Sequence, residues 1–116
     1  MTFGQWGEEQ ACRFLKRKGY RIVDRNFRCR GGELDIVAEK GDTLCFVEVK
    51  SRRSTLLGRP AEAVTTQKQR RMRSAAAFYL QKNAGRMRSE LQLRMDVVEV
   101  LRLGETTYIQ HIENAF

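Results

Sequence analysis

Asp35, Glu48 and Lys50 stand inside two runs that otherwise alternate like half-buried strands, "GELDIVAEK" and "TLCFVEVK", joined at Gly41-Asp42. Two carboxylates and an ammonium brought together on a sheet suit the holding of a hard divalent cation. The register tests whether they meet. A two-residue loop makes Lys40 and Thr43 partners. Leu34 then faces Val49, Ile36 faces Val47 and Ala38 faces Cys45, all apolar and on one face. On the other face Val37 meets Phe46, Asp35 meets Glu48 and Glu33 meets Lys50. A slip of one residue would mix the faces. The register sets two acids against each other, a repulsion of about 1 kcal/mol at ~4 Å in water and ~4 kcal/mol at an effective dielectric of 20. A solvated face neutralised by Lys50 is the plain alternative. Val37 and Phe46 share that face, however, so part of it is covered.

Two helical segments bear on the same residues. In "QWGEEQACRFLKRK" the apolar stripe runs through Ala11, Phe14 and Leu15, and the spacing puts Glu8 on it and Glu9 on the polar side. A carboxylate on a buried stripe is costly unless paired or bound to metal. Further on, Val64, Met72, Ala75, Ala76 and Tyr79 form a second stripe with Lys68 near its centre. Lys68 either snorkels to the edge of the core or aims its ammonium at an acidic site or a phosphate. Gln67 precedes it.

The elements that must position these residues follow from periodicity and turn chemistry. A helix is expected over residues 5–18 with Gly19 as its stop, and strands over 20–27, 32–39 and 44–50. An Arg-rich loop is expected over 51–60. A helix follows over 61–83, broken near Thr65 and Thr66, either of which can cap it. A basic loop leads to strands over 91–102 and 106–113 around a Leu103-Gly104-Glu105 turn. The order α-β-β-β-α-β-β predicts an α/β (α+β) chain, a mixed sheet flanked by helices, in a single domain over 1–116.

Composition narrows the chemistry. The 116 residues fit one core, and 41% hydrophobic with 31% charged residues excludes a disordered chain. No run approaches a membrane span, and "MTFGQWGEEQ" has no leader pattern, so no membrane partner is expected. Cys12, Cys29 and Cys45 are an odd set without CxxC spacing, consistent with reduced thiols in a cytoplasmic protein. The net charge of +8 favours a polyanion, most often nucleic acid. His111 is the single histidine, which excludes metal sites built from several. A metal here would be carboxylate-held, pointing to Mg²⁺ or Mn²⁺.

These residues resemble a known pattern. Asp35, then Glu48-Val49-Lys50, with an acid on the preceding helix, is similar to the PD-(D/E)xK nuclease superfamily. More closely, the chain resembles the YraN family, grouped with archaeal-type Holliday junction resolvases and RecB-like nucleases. The segments are "GEEQA", "GYRIVDRNFR", "GGELDIVA", "FVEVKSR", "GRPAEAV" followed by Lys68, "RMDVVEV" and "HIENAF". The superfamily's Pro-Asp dipeptide is replaced by Leu34-Asp35, a departure the resolvase-like branch tolerates.

The resemblance implies a restriction-endonuclease-like core and a Mg²⁺-dependent endonuclease, selective for branched DNA. It implies Asp35 and Glu48 as metal ligands, with the Val49 carbonyl as a further ligand and Glu8 completing the site. Lys50 would orient water or stabilise the phosphorane, and Glu33 would tune Lys50. Lys68 would approach the scissile phosphate or support Glu48, with Gln67 beside it. Arg28, Arg30, Arg52, Arg53, Arg59, Arg70, Arg71 and Arg73, with Arg86 and Arg88, would form a phosphate-binding rim. Resolvase-like relatives cut as dimers, which leaves a homodimer open. The competing readings are a non-catalytic nucleic-acid-binding module that retains the nuclease framework, and an adaptor whose basic surface meets an acidic protein.

Overall fold

The structure is a computed structural model and describes residues 1–53, 64–88 and 90–116. Helix α1 (Phe3–Arg17) starts at a capping box in which Thr2 Oγ1 accepts from the Gln5 N–H and Gln5 Oε1 accepts from the Thr2 N–H. It stops before Gly19, whose φ of 93° is the left-handed conformation that ends helices. Strands β1 (Arg21–Cys29), β2 (Gly32–Lys40) and β3 (Thr43–Arg52) follow as a meander. Helix α2 (Thr66–Lys82) is capped by Thr65, whose Oγ1 accepts from the Lys68 N–H at 3.1 Å. A 3₁₀ turn at Ala84–Arg86 leads to β4 (Gln92–Leu103) and β5 (Thr106–Ile112).

The expected order α-β-β-β-α-β-β is therefore the observed one. The five strands form one mixed sheet in sequential order, antiparallel except where β3 and β4 run parallel. That parallel step requires a crossover, and α2 lies within it. The helices take opposite faces. Ala11, Cys12 and Leu15 of α1 pack with Ile36, Ala38, Cys45, Val47, Val98 and Val100. Ala75, Ala76 and Tyr79 of α2 pack with Leu34, Val37, Leu44 and Phe46. Strand β3 runs to Arg52, two residues beyond its expected end. The rest of the expected loop from position 54, and the expected helical residues 61–63, lie outside the described residues.

The hairpin register holds from Lys40–Thr43 back to Ile36–Val47, with Gly41 supplying the positive φ of 58° its turn requires. Beyond Ile36 the expectation fails. Leu34 packs under α2, on the opposite side of the sheet from Ile36, and the β2–β3 pairing ends at Ile36–Val47. The break coincides with a feature of β1. Between the pairs Arg25–Ile36 and Phe27–Leu34 falls Asn26, in the left-handed conformation at φ 52°. The alternation of β2 breaks at the neighbouring position, Asp35.

A buried polar knot closes the far side. Asp96 is fully buried and accepts from Arg94 Nε and Nη2, from the Asn114 N–H and from His111 Nε2–H at 2.7 Å. Lys18 Nζ donates to His111 Nδ1 at 2.7 Å, which fixes that tautomer. Desolvation opposes ionisation of Asp96, but the hydrogen bonds from His111 and Arg94 outweigh it and hold its pKa below the usual range.

Candidate functional site

The break in β2 makes the site. Once β2 and β3 stop pairing, the Val49 N–H has no backbone partner across the gap, and Asp35 Oδ2 accepts it at 2.8 Å. Asp35 thus sits between diverging strands, not in a regular cross-strand pair with Glu48. Burial raises its pKa first and the charge of Glu48 second, while the Val49 hydrogen bond opposes both. The result is a carboxyl pushed up to about 7. Glu8 adds a smaller push in the same direction.

Glu48 is only 3% exposed, yet two ammonium groups reach it. Lys68 Nζ lies 2.5 Å from Glu48 Oε1, and Lys50 Nζ lies 3.6 Å from the same oxygen. Desolvation works against the charge on Lys68, but the hydrogen bond and attraction of Glu48 prevail and raise its pKa. The Thr65 cap orders the first turn of α2, from which Lys68 projects. Of the two sequence-based roles for Lys68, this structure contains the support of Glu48. Lys68 also borders a cavity of about 270 Å³, lined by Glu33, Thr65, Gln67, Arg71 and Met72. Gln67 is thus exposed on the wall of this cavity, beside Lys68.

Glu8 is half-buried on α1, one residue after Gly7. A Cβ at Gly7 would collide with Ser51 Oγ, so glycine lets α1 settle on β3. This contact sets where Glu8 stands relative to the carboxylate pair.

Glu33 departs from expectation. It is exposed and pairs with Arg28, Nε to Oε2 at 3.4 Å, and it does not sit across from Lys50. The divergence that positions Asp35 removes Glu33 from that register. Lys50 instead faces Glu99 in the parallel β3–β4 ladder. Glu99, 6% exposed, was missed from sequence. It holds Arg52, with Nη2 at 2.5 Å and Nε at 2.6 Å from Oε2. Arg52 is thereby withdrawn from the expected phosphate rim, because β3 continues through it and turns it onto the sheet. The available signal was an acid in the apolar run "MDVVEV".

The other arginines divide. Arg53 lies over the Phe3 ring at 4.2 Å and Arg73 over the Phe116 ring at 5.5 Å. Arg71 lines the cavity beside Lys68, and Arg30 and Arg70 are exposed. Arg59 lies outside the described residues.

The residues can be tested against Mg²⁺ or Mn²⁺. Among the described residues, no three His, Cys, Asp or Glu side chains are gathered closely enough to hold a metal ion. Mg²⁺ does not need three, since one or two carboxylates plus waters and substrate oxygens suffice. Asp35 and Glu48 meet that requirement, and the raised pKa of Asp35 marks a place where added positive charge is favourable. The donor set fits.

Fold and site together define a mixed five-stranded α+β protein with a carboxylate pair held at a strand divergence and faced by two lysines. The chain belongs to the uncharacterised protein family UPF0102, whose family model matches residues 7–100. That span includes Glu8, Asp35, Glu48, Lys50, Lys68 and Glu99. It is similar to the UPF0102 protein of Syntrophomonas wolfei, 50% identical over 113 residues that cover 97% of this chain and 96% of that one. The Caldicellulosiruptor saccharolyticus protein is 46% identical over 97% of this chain and 95% of its own. The Myxococcus xanthus protein is 46% identical over 98% and 88%.

Proposed function

We propose that the protein is a metal-dependent endonuclease of the PD-(D/E)xK type that hydrolyses phosphodiester bonds, on branched DNA, in the cytoplasm. The observation that carries this reading is the juxtaposition of Asp35 and Glu48 at the divergence of β2 and β3, with Lys50 and Lys68 converging on Glu48. Asp35, Glu48 and the Val49 carbonyl would hold Mg²⁺ or Mn²⁺, with Glu8 acting directly or through water. Bound there, the cation would neutralise charge at phosphorus and lower the pKa of the attacking water.

The chain's own groups would do the rest. Lys50, two residues along the strand from Glu48, orients the attacking water and stabilises the charge developing on phosphorus. Lys68 exchanges its contact with Glu48 for a phosphate oxygen at the cavity beside it. Arg71, on the same cavity wall, binds a neighbouring phosphate. The excess of basic residues draws the polyanion to the surface.

The test is incubation with branched DNA, linear DNA and RNA in Mg²⁺ or Mn²⁺. The expected result is cleavage by wild type and its loss in Asp35→Asn and Lys50→Ala. Absence of cleavage on all substrates, or equal cleavage by the variants, overturns the proposal.

One observation favours a second reading, a nucleic-acid-binding module without catalysis. The Lys68–Glu48 ion pair already compensates Glu48 without a cation. Calorimetric titration with Mn²⁺ separates the two readings. The nuclease binds the ion and Asp35→Asn does not, whereas the module takes up none and binds DNA in a salt-sensitive way.

A further inference from the structure

A second cavity, of about 430 Å³, opens at the other end of the α2-covered face, between β1, the β2–β3 turn region and the C-terminal end of α2. It shares no lining residue with the cavity beside Lys68. From Asp35 to Glu39 the distance along β2 is about 13 Å, so the cavity stands well apart from the carboxylate pair.

Tyr79 forms its inner wall. The residue is only 3% exposed, and its ring is fixed edge-on against Phe27 at 5.0 Å and Phe46 at 6.1 Å. Its hydroxyl makes no hydrogen bond among the described residues and is reached from the cavity, so it is open to a ligand's polar group. The charges that act on it, Asp24 and Arg21, are themselves lining residues of this cavity. Asn83 stands beside it. Its Nδ2 donates to the Tyr79 carbonyl at 2.9 Å, which fixes the amide and leaves Oδ1 as an acceptor. Val23, Leu44 and Met87 supply apolar wall. At the rim Arg88 is committed to Glu39, Asp42 and the Gly41 carbonyl, whereas Arg86 has no acidic partner among the described residues.

A reachable hydroxyl and an amide oxygen beside apolar wall, with a cation at the mouth, match a flat heterocycle carrying a phosphate. We propose that this cavity is a second, non-catalytic binding site for a single nucleotide. The base lies against Met87 and the Tyr79 edge, its polar edge meets Tyr79 Oη and Asn83 Oδ1, and its phosphate meets Arg86. The inference extends the nucleic-acid reading but requires no hydrolysis.

The experiment is titration of the ¹⁵N-labelled protein with dAMP and dCMP, with inorganic phosphate and ribose 5-phosphate as controls. The nucleotides are expected to shift the Asn83, Met87 and Tyr79 amides saturably. Tyr79→Phe, which keeps the ring packing, is expected to weaken dAMP binding at least fivefold, and Arg86→Gln to weaken it by a similar factor. Asp35→Asn is expected to bind dAMP like wild type, so failure here and failure of the nuclease reading are told apart. Absence of saturable shifts at 10 mM nucleotide overturns the proposal. So do equal shifts with inorganic phosphate alone, or unchanged binding in Tyr79→Phe and Arg86→Gln.

Discussion

Asp35 and Val49 are joined by a side chain doing the work of a backbone: the carboxylate accepts the N–H that β2 would have taken had the strands stayed paired. The hydrogen bond and the strand divergence are one event, and it places an acid where burial and Glu48 both resist its charge.

Asp35 should therefore cost stability at neutral pH. Its folded pKa, about 7, is above the ordinary 3.8, so the folded state holds more protons between those values. Stability falls as pH rises through that window and is unaffected below it. Asp35→Asn keeps an acceptor for Val49 and removes the charge. In metal-free urea unfolding it should be more stable than wild type by about 4 kcal/mol at pH 8, with no difference near pH 3.

Lys68→Met leaves a nearly buried Glu48 with Lys50 alone. Loss of one partner from such a pair should destabilise by about 2 kcal/mol. The same change frees a Glu48 oxygen. Mn²⁺ affinity by calorimetry should rise several-fold while cleavage of DNA falls, a separation that a purely structural lysine would not produce.

The packing of α1 on β3 can be tested by Gly7→Ala. The added methyl meets Ser51 Oγ and should cost about 2 kcal/mol, lowering Tm. Ser51→Gly in the same chain should recover most of the loss, because the clash is between those two side chains.

Asp96 is the acid whose loss the fold tolerates least. Asp96→Ala strands Arg94, and His111 beneath it, and should cost about 3 kcal/mol or more by thermal or denaturant unfolding. The stabilisation Asp96 supplies is present above its unfolded pKa and disappears as pH falls through its lower folded one. Wild type should thus lose stability on acidification over a range in which Asp96→Asn loses less.

Most of the frame was legible in the sequence, because periodicity and turn residues are local. The element order, the Gly41-Asp42 turn, the stripe through Met72, Ala75, Ala76 and Tyr79, and a threonine cap at Thr65 or Thr66, which the structure assigns to Thr65, all follow from neighbours. What escaped depended on elements distant in the chain. The left-handed Asn26 lies on β1, so alternation within β2 alone could not show that Leu34 changes sides. Glu99 meets Lys50 and Arg52 only through the β3–β4 ladder, and no spacing rule links those positions. Helical spacing put Lys68 on the inner face of α2 and left snorkelling or an acidic site open, and the contact with Glu48 was named only through the family resemblance.

The β3–β4 ladder also bears on how the chain reaches this state. It joins Thr43 to Gln92, roughly 50 residues apart in sequence, and closing so long a loop must precede any return from its contacts. Strands β1 to β3 close through tight turns and can associate early, bringing Asp35 and Glu48 near each other before α2 is docked. Until Lys68 arrives, that nascent meander has only Lys50 to offset its acids. The closing of the crossover is thus the step that brings the second cation to Glu48, and refolding should proceed at the millisecond-to-second pace of non-local pairing.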